Sequence, residues 1–211
     1  MNNSVANIAR LTGAGLRALL VLTLITGVIY PLAVTGVAQA LFHHTANGSQ
    51  VRADGGVVGS SLIGQQDYSL DYFQPRPAQG LGVNSVNTRY RLILSGATNR
   101  SADNPELIAW VKQTKAEVVK ENSTAGYQVE PSQVPADAVT SSGSGLDPDI
   151  SPAYADLQIH RVAERNHLPV ARVEKLVEDH TQGRTFGFIG EPRVNVLELN
   201  IALRELAQGD G

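Results

Sequence analysis

ALLVLTLITGVIYPLAVTGVAQALF, residues 18–42, contains no Asp, Glu, Lys, Arg or His. Coiled as a helix, the run extends about 37 Å, longer than a hydrocarbon core of roughly 30 Å. One charge at mid-membrane would cost about 2.5–3.5 kcal/mol on insertion scales, and this stretch carries none. It reads as a single transmembrane helix and sets the plan of the chain: a short segment 1–17, the span 18–42, a linker 43–58 and one domain, 59–211. Arg10 and Arg17 precede the span, and the next basic residue is Arg52. The positive-inside bias therefore places the N-terminus in the cytoplasm and the domain outside it. Ala38-Gln39-Ala40 has the small-x-small form of a signal-peptidase site, which makes a cleaved signal peptide the competing reading. The apolar run exceeds the 7–15 residues of a usual signal core, so a retained anchor is expected.

The span has a face as well as a length. Thr23, Gly27, Pro31, Thr35 and Gln39 recur at every fourth position among Leu, Ile and Val. Small residues let helices approach closely, and a hydroxyl or amide can bond across the contact. Pro31 interrupts the backbone ladder, which is tolerated best where a neighbour satisfies the freed carbonyl. The stripe is expected to pack against another membrane helix. The plainer alternative is that Gly, Thr and Pro are simply common in membrane helices.

The rest of the chain is mildly acidic. Two of the 17 basic residues precede the span, leaving 15 against 20 acidic groups, a net of about −5. Nucleic acid is excluded as a partner, because its phosphates demand clustered Lys and Arg. With no cysteine, disulfides, thiol catalysis and Cys-ligated zinc are excluded too.

Residues 43–58, rich in His, Asn, Gly and Ser, read as the exit linker. His43-His44 does not suggest a metal site, because adjacent side chains diverge and no third ligand is near. Gly59 to Gln65 reads as a short strand with turns. Tyr68, Tyr72 and Phe73, then Arg76-Pro77 and a Gly/Asn-rich stretch to Asn87, read as strand and loop. Leu92-Ile93-Leu94 is a brief apolar patch before turns. A helix opens at Asp103 or Asn104, with Pro105 in its first turn and Glu106 against the dipole, and runs to about Glu121. Leu107, Ile108, Val111 and Val118 share one face of it. Val134 to Val139 reads as a strand. Ser151-Pro152 caps a helix bearing Ala155, Ile159, Val162 and Ala163; Leu168-Pro169 starts another, stopped at Gly183. Val196, Leu199, Leu203 and Leu206 mark the last. The expected fold is α+β: a single N-terminal transmembrane helix followed by one extracytoplasmic α+β domain.

Catalytic motifs are missing. There is no G-x-x-x-x-G-K-[ST] loop, no G-x-S-x-G turn, no H-E-x-x-H pair and no Asp-Lys-Thr-Gly-Thr phosphorylation sequence. The chain is not expected to hydrolyse ATP itself, and no metal or firmly bound cofactor is expected. The most suggestive stretch is Ser142-Gly143-Ser144-Gly145-Leu146-Asp147-Pro148-Asp149 ahead of the Ser151 cap. Glycines and hydroxyls before a helix can cradle phosphate, yet Asp147 and Asp149 would repel it. They could draw a cation loosely, although the spacing is not that of a calcium loop. A loop-to-helix junction with a share in partner contact is the favoured reading. Gln158 reads by default as a helix-surface amide, and Glu191 and Arg193 around Pro192 read as a turn whose charges pair with each other or with a partner.

Several segments, in order and at compatible spacings, closely resemble the C subunit family of the Kdp potassium-transporting ATPase. They are Thr26-Gly27 with Tyr30-Pro31-Leu32, Ala46 to Ser49, Gly59 to Gln65, Tyr72-Phe73, Arg76-Pro77 and Asn104 to Leu107. Val139-Thr140, Ser142 to Asp147, Ile150 to Pro152, Arg161 to Ala163 and Gly190 to Asn200 match as well. The sequence departs from the family pattern at Asn84 to Leu94, at Ser95 to Asp103, and at His160, where the family tends to have Pro.

The resemblance implies a non-hydrolysing accessory subunit of a high-affinity potassium importer in the bacterial inner membrane. Its implied partners are a channel-like potassium-translocating subunit, a P-type ATP-hydrolysing subunit, a small membrane peptide and lipid. Potassium would be the transported ion. The resemblance also implies a catalytic-chaperone role, raising the ATP affinity of the hydrolysing subunit, with ATP reached through the complex. Ser142, Gly143, Ser144, Gly145, Asp147, Gln158, Glu191 and Arg193 are then the candidates for nucleotide or partner contact. The alternative is a stand-alone, membrane-anchored extracytoplasmic binding domain with Asp147 and Asp149 at its site.

Overall fold

The computed structural model describes residues 2–65, 68–77, 95–96 and 99–209. The Gly/Asn-rich stretch to Asn87, the patch Leu92-Ile93-Leu94 and the departures from Asn84 to Leu94 lie wholly or largely outside them. The chain divides into two units, residues 1–50 and 51–211.

The first unit is helical. Helix α1 (Asn2–Leu24) runs through a π-turn, Ile25–Ile29, into α2 (Tyr30–Leu41). Together they form a helix long and apolar enough to cross a membrane. Its apolar side chains stand exposed along its length, among them Leu20, Val21, Leu22, Ile29 and Leu32. A soluble protein's core helix would bury them. The π-turn has a chemical cause. Pro31 has no N–H to give the carbonyl four residues back, and its ring crowds that carbonyl. The coil widens just before it, and the Tyr30 N–H donates to the Ile25 carbonyl instead. Thr26 Oγ1 donates to the Leu22 carbonyl at 2.7 Å. A residue spacing of four slightly overshoots one α-turn but falls short of one π-turn. The π-turn therefore corrects the drift of the Thr23–Gln39 stripe where it passes Gly27. At the far end Asn47 folds back, its Nδ2 donating to Gln39 Oε1 at 3.0 Å.

Residues 43–58 are more ordered than a linker: they hold a helical turn, α3 (His43–Ala46), and most of a hairpin, β1 (Gln50–Ala53) and β2 (Gly56–Ser60). Asp54 and Gly55 both have positive φ, the mirror-image turn that suits strand twist. Arg204, on the last helix, holds the hairpin tip through Asp54 at 2.8 Å. The strand expected at Gly59 to Gln65 thus lies earlier, and residues 61–63 turn.

Helix α4 (Pro105–Asn122) is capped by Asn104, whose Oδ1 accepts from the Glu106 and Leu107 N–H groups. Asp103 instead accepts from Ser101. Ile108 faces outward, off the core side of the helix. The strand expected at Val134 to Val139 is absent; two 3₁₀ turns, Pro131–Gln133 and Ala136–Ala138, stand around it. Pro131 and Pro135 cannot donate to a ladder, and Glu130 and Gln133 close a reciprocal cap across the first turn.

Next come β3 (Asp149–Ile150), α5 (Pro152–Arg165), α6 (Val170–Asp179), β4 (Thr181–Gln182), β5 (Arg193–Asn195) and α7 (Val196–Gly209). Helix α6 ends before Gly183, because Thr181 and Gln182 pair with β5. The sheet order is β3-β5-β4, all antiparallel, with Asp149 opposite Asn195 and both Ile150 and Thr181 opposite Val194. The core gathers Phe73, Ile150, Ala155, Ile159 and Val162 with Val173, Val177, Val194, Leu199 and Leu203. Each buried Leu or Phe contributes about 1.5–3 kcal/mol.

Candidate functional site

Ser142 to Asp149 leaves the second 3₁₀ turn and leads into β3, and its hydrogen bonds are largely internal. Ser142 Oγ accepts from the Gly145 N–H at 3.0 Å, and Ser144 Oγ from the Leu146 N–H at 3.1 Å. The Ser144 carbonyl takes the Gly96 N–H and the Ser95 hydroxyl. Gly64 approaches from β2's side: its N–H donates to the Leu146 carbonyl at 2.7 Å. A Cβ at Gly64 would meet the Asp147 carbonyl oxygen at 2.5 Å, so the close approach requires glycine. Two N–H groups that a phosphate would use are already committed to serine hydroxyls.

Beside this loop lies a cleft of about 510 Å³, lined in part by Arg76, Asp137, Asp147, Asp149, Glu191 and Arg193. Three of the sequence candidates, Asp147, Glu191 and Arg193, are thus brought together, joined by Arg76 and Asp137. Arg76 Nη1 meets Asp147 Oδ2 at 3.0 Å, and Arg193 Nε meets Asp149 Oδ2 at 3.0 Å. Glu191 and Arg193 do not pair with each other, since Glu191 turns to Arg184 at 2.6 Å. Asp137 accepts from both the N–H and the hydroxyl of Ser151, anchoring the cap of α5. Asn195 ties the pieces: its Nδ2 donates to the Ser61 carbonyl and to Asp149 Oδ1, and its Oδ1 caps α7 at the Glu198 N–H. A polyphosphate placed here would meet four carboxylates and two guanidiniums already engaged. The cleft suits a polar partner surface better than a nucleotide.

Burial pushes the Asp149 carboxyl above its ordinary range; Arg193 opposes the rise, Asp147 and Glu198 add to it, and the Asn195 bond lowers it. In the folded chain Asp149 therefore takes up a proton at higher pH than in the unfolded chain. Its contribution to stability is complete below the unfolded value and is lost as pH rises through the folded one. Wild type should gain stability relative to Asp149→Asn as pH falls from 7 towards 4, measured by urea unfolding of the two proteins side by side. A pH-independent difference contradicts this assignment.

Gln158 is corrected by the structure. It is fully buried, not on a helix surface. Its Oε1 accepts from the Gln74 N–H at 2.6 Å and from Arg161 Nη2 at 2.7 Å, while its Nε2 donates to the Gln74 carbonyl. It belongs to a buried polar frame with Arg161, Asn122 and Asn200. The sequence carries a signal for this frame: Gln158 and Arg161 stand at spacing three among Ala155, Ile159 and Val162, core positions of α5. Asn200 likewise follows Leu199 on the buried side of α7.

A family model described as K+-transporting ATPase, c chain (KdpC) matches residues 12–205. The chain is 71% identical to the potassium-transporting ATPase KdpC subunit of Streptomyces avermitilis over 98% of each protein. It is 66% identical to that of Streptomyces coelicolor over the whole of both. The Mycobacterium tuberculosis protein of the same name is 46% identical over 90% of this chain and 96% of its own length.

Proposed function

The chain belongs to the KdpC family, the c chain of K+-transporting ATPases, and on that premise we propose that it is the accessory, non-hydrolysing subunit of an ATP-driven potassium import complex. The observation that carries the reading is the bare apolar helix from Ser4 to Leu41. A helix exposed all round needs lipid and neighbouring membrane helices to cover it. The helix crosses the bacterial inner membrane once, with residues 1–17 inside and the domain from about residue 59 outside.

Thr23, Gly27, Pro31, Thr35 and Gln39 form the packing face, against a channel-like potassium-translocating subunit, an ATP-hydrolysing P-type subunit or the small membrane peptide of the same complex. Outside, Asp147, Glu191 and Arg193 offer paired charges to a partner surface, with Ser142, Gly143, Ser144 and Gly145 beside them. Gln158 acts from within, holding the backbone at Gln74. The acidic domain concentrates potassium near the transport entrance, over a range set by screening of about 8 Å. The catalytic-chaperone role fits this topology only indirectly. A domain outside the membrane cannot touch cytoplasmic ATP, so any rise in ATP affinity passes through the membrane helices as coupling between sites.

Two measurements test this. Tagged full-length chain, purified from native membranes in mild detergent, should carry potassium-stimulated ATP hydrolysis with it. A monodisperse lone chain without hydrolysis would instead favour the stand-alone binding domain. Topology is tested separately, because the chain has no cysteine. Lys112→Cys, on the exposed side of α4, supplies a single exposed thiol, which a membrane-impermeant maleimide should label on intact spheroplasts. Labelling only after lysis would invert the assigned orientation.

A further inference from the structure

Between β4 and β5 the chain projects a narrow finger, Arg184 to Glu191. Thr185 and Ile189 exchange both backbone hydrogen bonds, at 2.9 and 3.0 Å, and the Arg184–Glu191 ion pair closes the base. The loop Phe186-Gly187-Phe188 forms the tip. Phe186 is 85% exposed, Phe188 74% and Ile189 51%, and no charged residue lies between Thr185 and Gly190. Phe186 also has φ +54. Left-handed backbone costs an L-residue about 1–2 kcal/mol. Here that strain holds an aromatic ring out in solvent, where no contact among the described residues rewards it, and strain of this kind collects at functional positions.

Charge and area together narrow what covers the tip. The residues after the membrane span carry a net of about −5. The cations flanking the finger, Arg184 and Arg193, are each held by a carboxylate, Glu191 and Asp149. An anionic lipid surface therefore meets a net negative charge and, at the described residues flanking the finger, cations already paired. Two phenylalanines and half an isoleucine offer roughly 400 Å² of apolar surface, about half of one side of a standard interface. That is too little to capture a freely diffusing protein or a second copy. It suffices as an anchor for a partner already held beside the same membrane helix, where the effective concentration reaches the millimolar range.

We propose that Phe186 and Phe188 dock into an apolar recess on the extracytoplasmic surface of another chain of the same ATPase. The proposal rests on the reading of this chain as an ATPase subunit. To test it, a photoreactive benzoyl-phenylalanine replaces Phe188 in the full-length chain, expressed with the complete complex in native membranes. Irradiation should join it to another ATPase chain, while the same probe at Glu117 on α4 should not. A Phe186→Ala/Phe188→Ala chain should melt like wild type, since both rings are exposed, yet recover ATPase activity on purification at least about tenfold less well. Phe186→Leu/Phe188→Leu should keep most of that recovery. Cross-links to lipid alone or to a second copy of this chain overturn the proposal, as does full recovery by the alanine variant. If wild type itself recovers no ATPase, the subunit reading fails together with the finger. If wild type recovers it and position 188 joins no other chain, the finger alone fails.

Discussion

Arg161→Ala is expected to destabilise the domain that follows the apolar helix by about 3–5 kcal/mol, a large share of the roughly 5–15 kcal/mol that holds a typical domain folded. Arg161 is 2% exposed. Its Nε donates to Asn122 Oδ1 at 2.9 Å, its Nη2 to Gln158 Oε1 at 2.7 Å, and its Nη1 to the carbonyls of Tyr72, at 3.0 Å, and Leu70. None of these acceptors is a carboxylate. The guanidinium is held in the core by converging amide and carbonyl dipoles, and burial lowers its pKa to about 10, so it stays charged at neutral pH. One fork thus joins the end of α4, the middle of α5 and the irregular segment before Phe73. Truncation would take one donor from each of four acceptors, leaving Gln158 Oε1 with only the Gln74 N–H and the Tyr72 carbonyl with only Gln74 Nε2, and would open a cavity. Thermal unfolding of the full-length chain in detergent should show a midpoint lower by about 10 °C. Arg161→Lys keeps the charge but not the planar fork, and should recover less than half of the loss. A drop under about 2 °C for Arg161→Ala would contradict this account of the frame.

Asn200→Leu should cost about 2–4 kcal/mol although it swaps one buried side chain for another of similar size. Asn200 Oδ1 accepts from the Phe73 N–H and its Nδ2 donates to the Phe73 carbonyl, both at 2.9 Å. Gln158 clamps Gln74 in the same two-bond fashion. Two amides on two helices thus stand in for the neighbouring strand that residues 73 and 74 lack, and the fully buried Phe73 ring depends on that backbone being satisfied. Leucine supplies neither bond. Amide hydrogen exchange at Phe73 should accelerate about tenfold for each 1.4 kcal/mol lost. Exchange unchanged from wild type would show that Phe73 draws its protection from elsewhere.

These two residues also mark where reading the sequence stops. One long apolar helix near the N-terminus was legible, because a bilayer makes a one-dimensional demand that an uncharged run answers alone; its start at Asn2 and its π-turn at Ile25–Ile29 were not. Asn104 and Ser151 announced two helices for a similar reason, since caps act within one turn; Leu168-Pro169 announced a third through the fixed φ of proline, without a side-chain cap. Strands β3, β4 and β5 hold two or three residues each, and only their pairing makes them strands. Val134 to Val139 has strand composition, but Pro131 and Pro135 bend it into turns. Asp54-Gly55 between valines is a hairpin signal, set in a stretch whose His, Asn and Gly content resembles a linker.

The candidate site divides in the same way. Asp147, Glu191 and Arg193 meet at one cleft as a set, although Glu191 and Arg193 choose different partners. Their residue types were legible; the contributions of Arg76 and Asp137, distant in sequence, were not. Gln158 shows the limit most clearly. A glutamine on an amphipathic helix reads as surface unless the three-dimensional partner is known, and its partner here lies 84 residues away.

Growth at micromolar potassium tests most directly whether this chain serves potassium import as part of an ATPase. The host strain lacks its other potassium importers and either carries or lacks this gene. Growth should fail without the gene and return when the full-length chain is supplied. Equal growth with and without it would contradict that role.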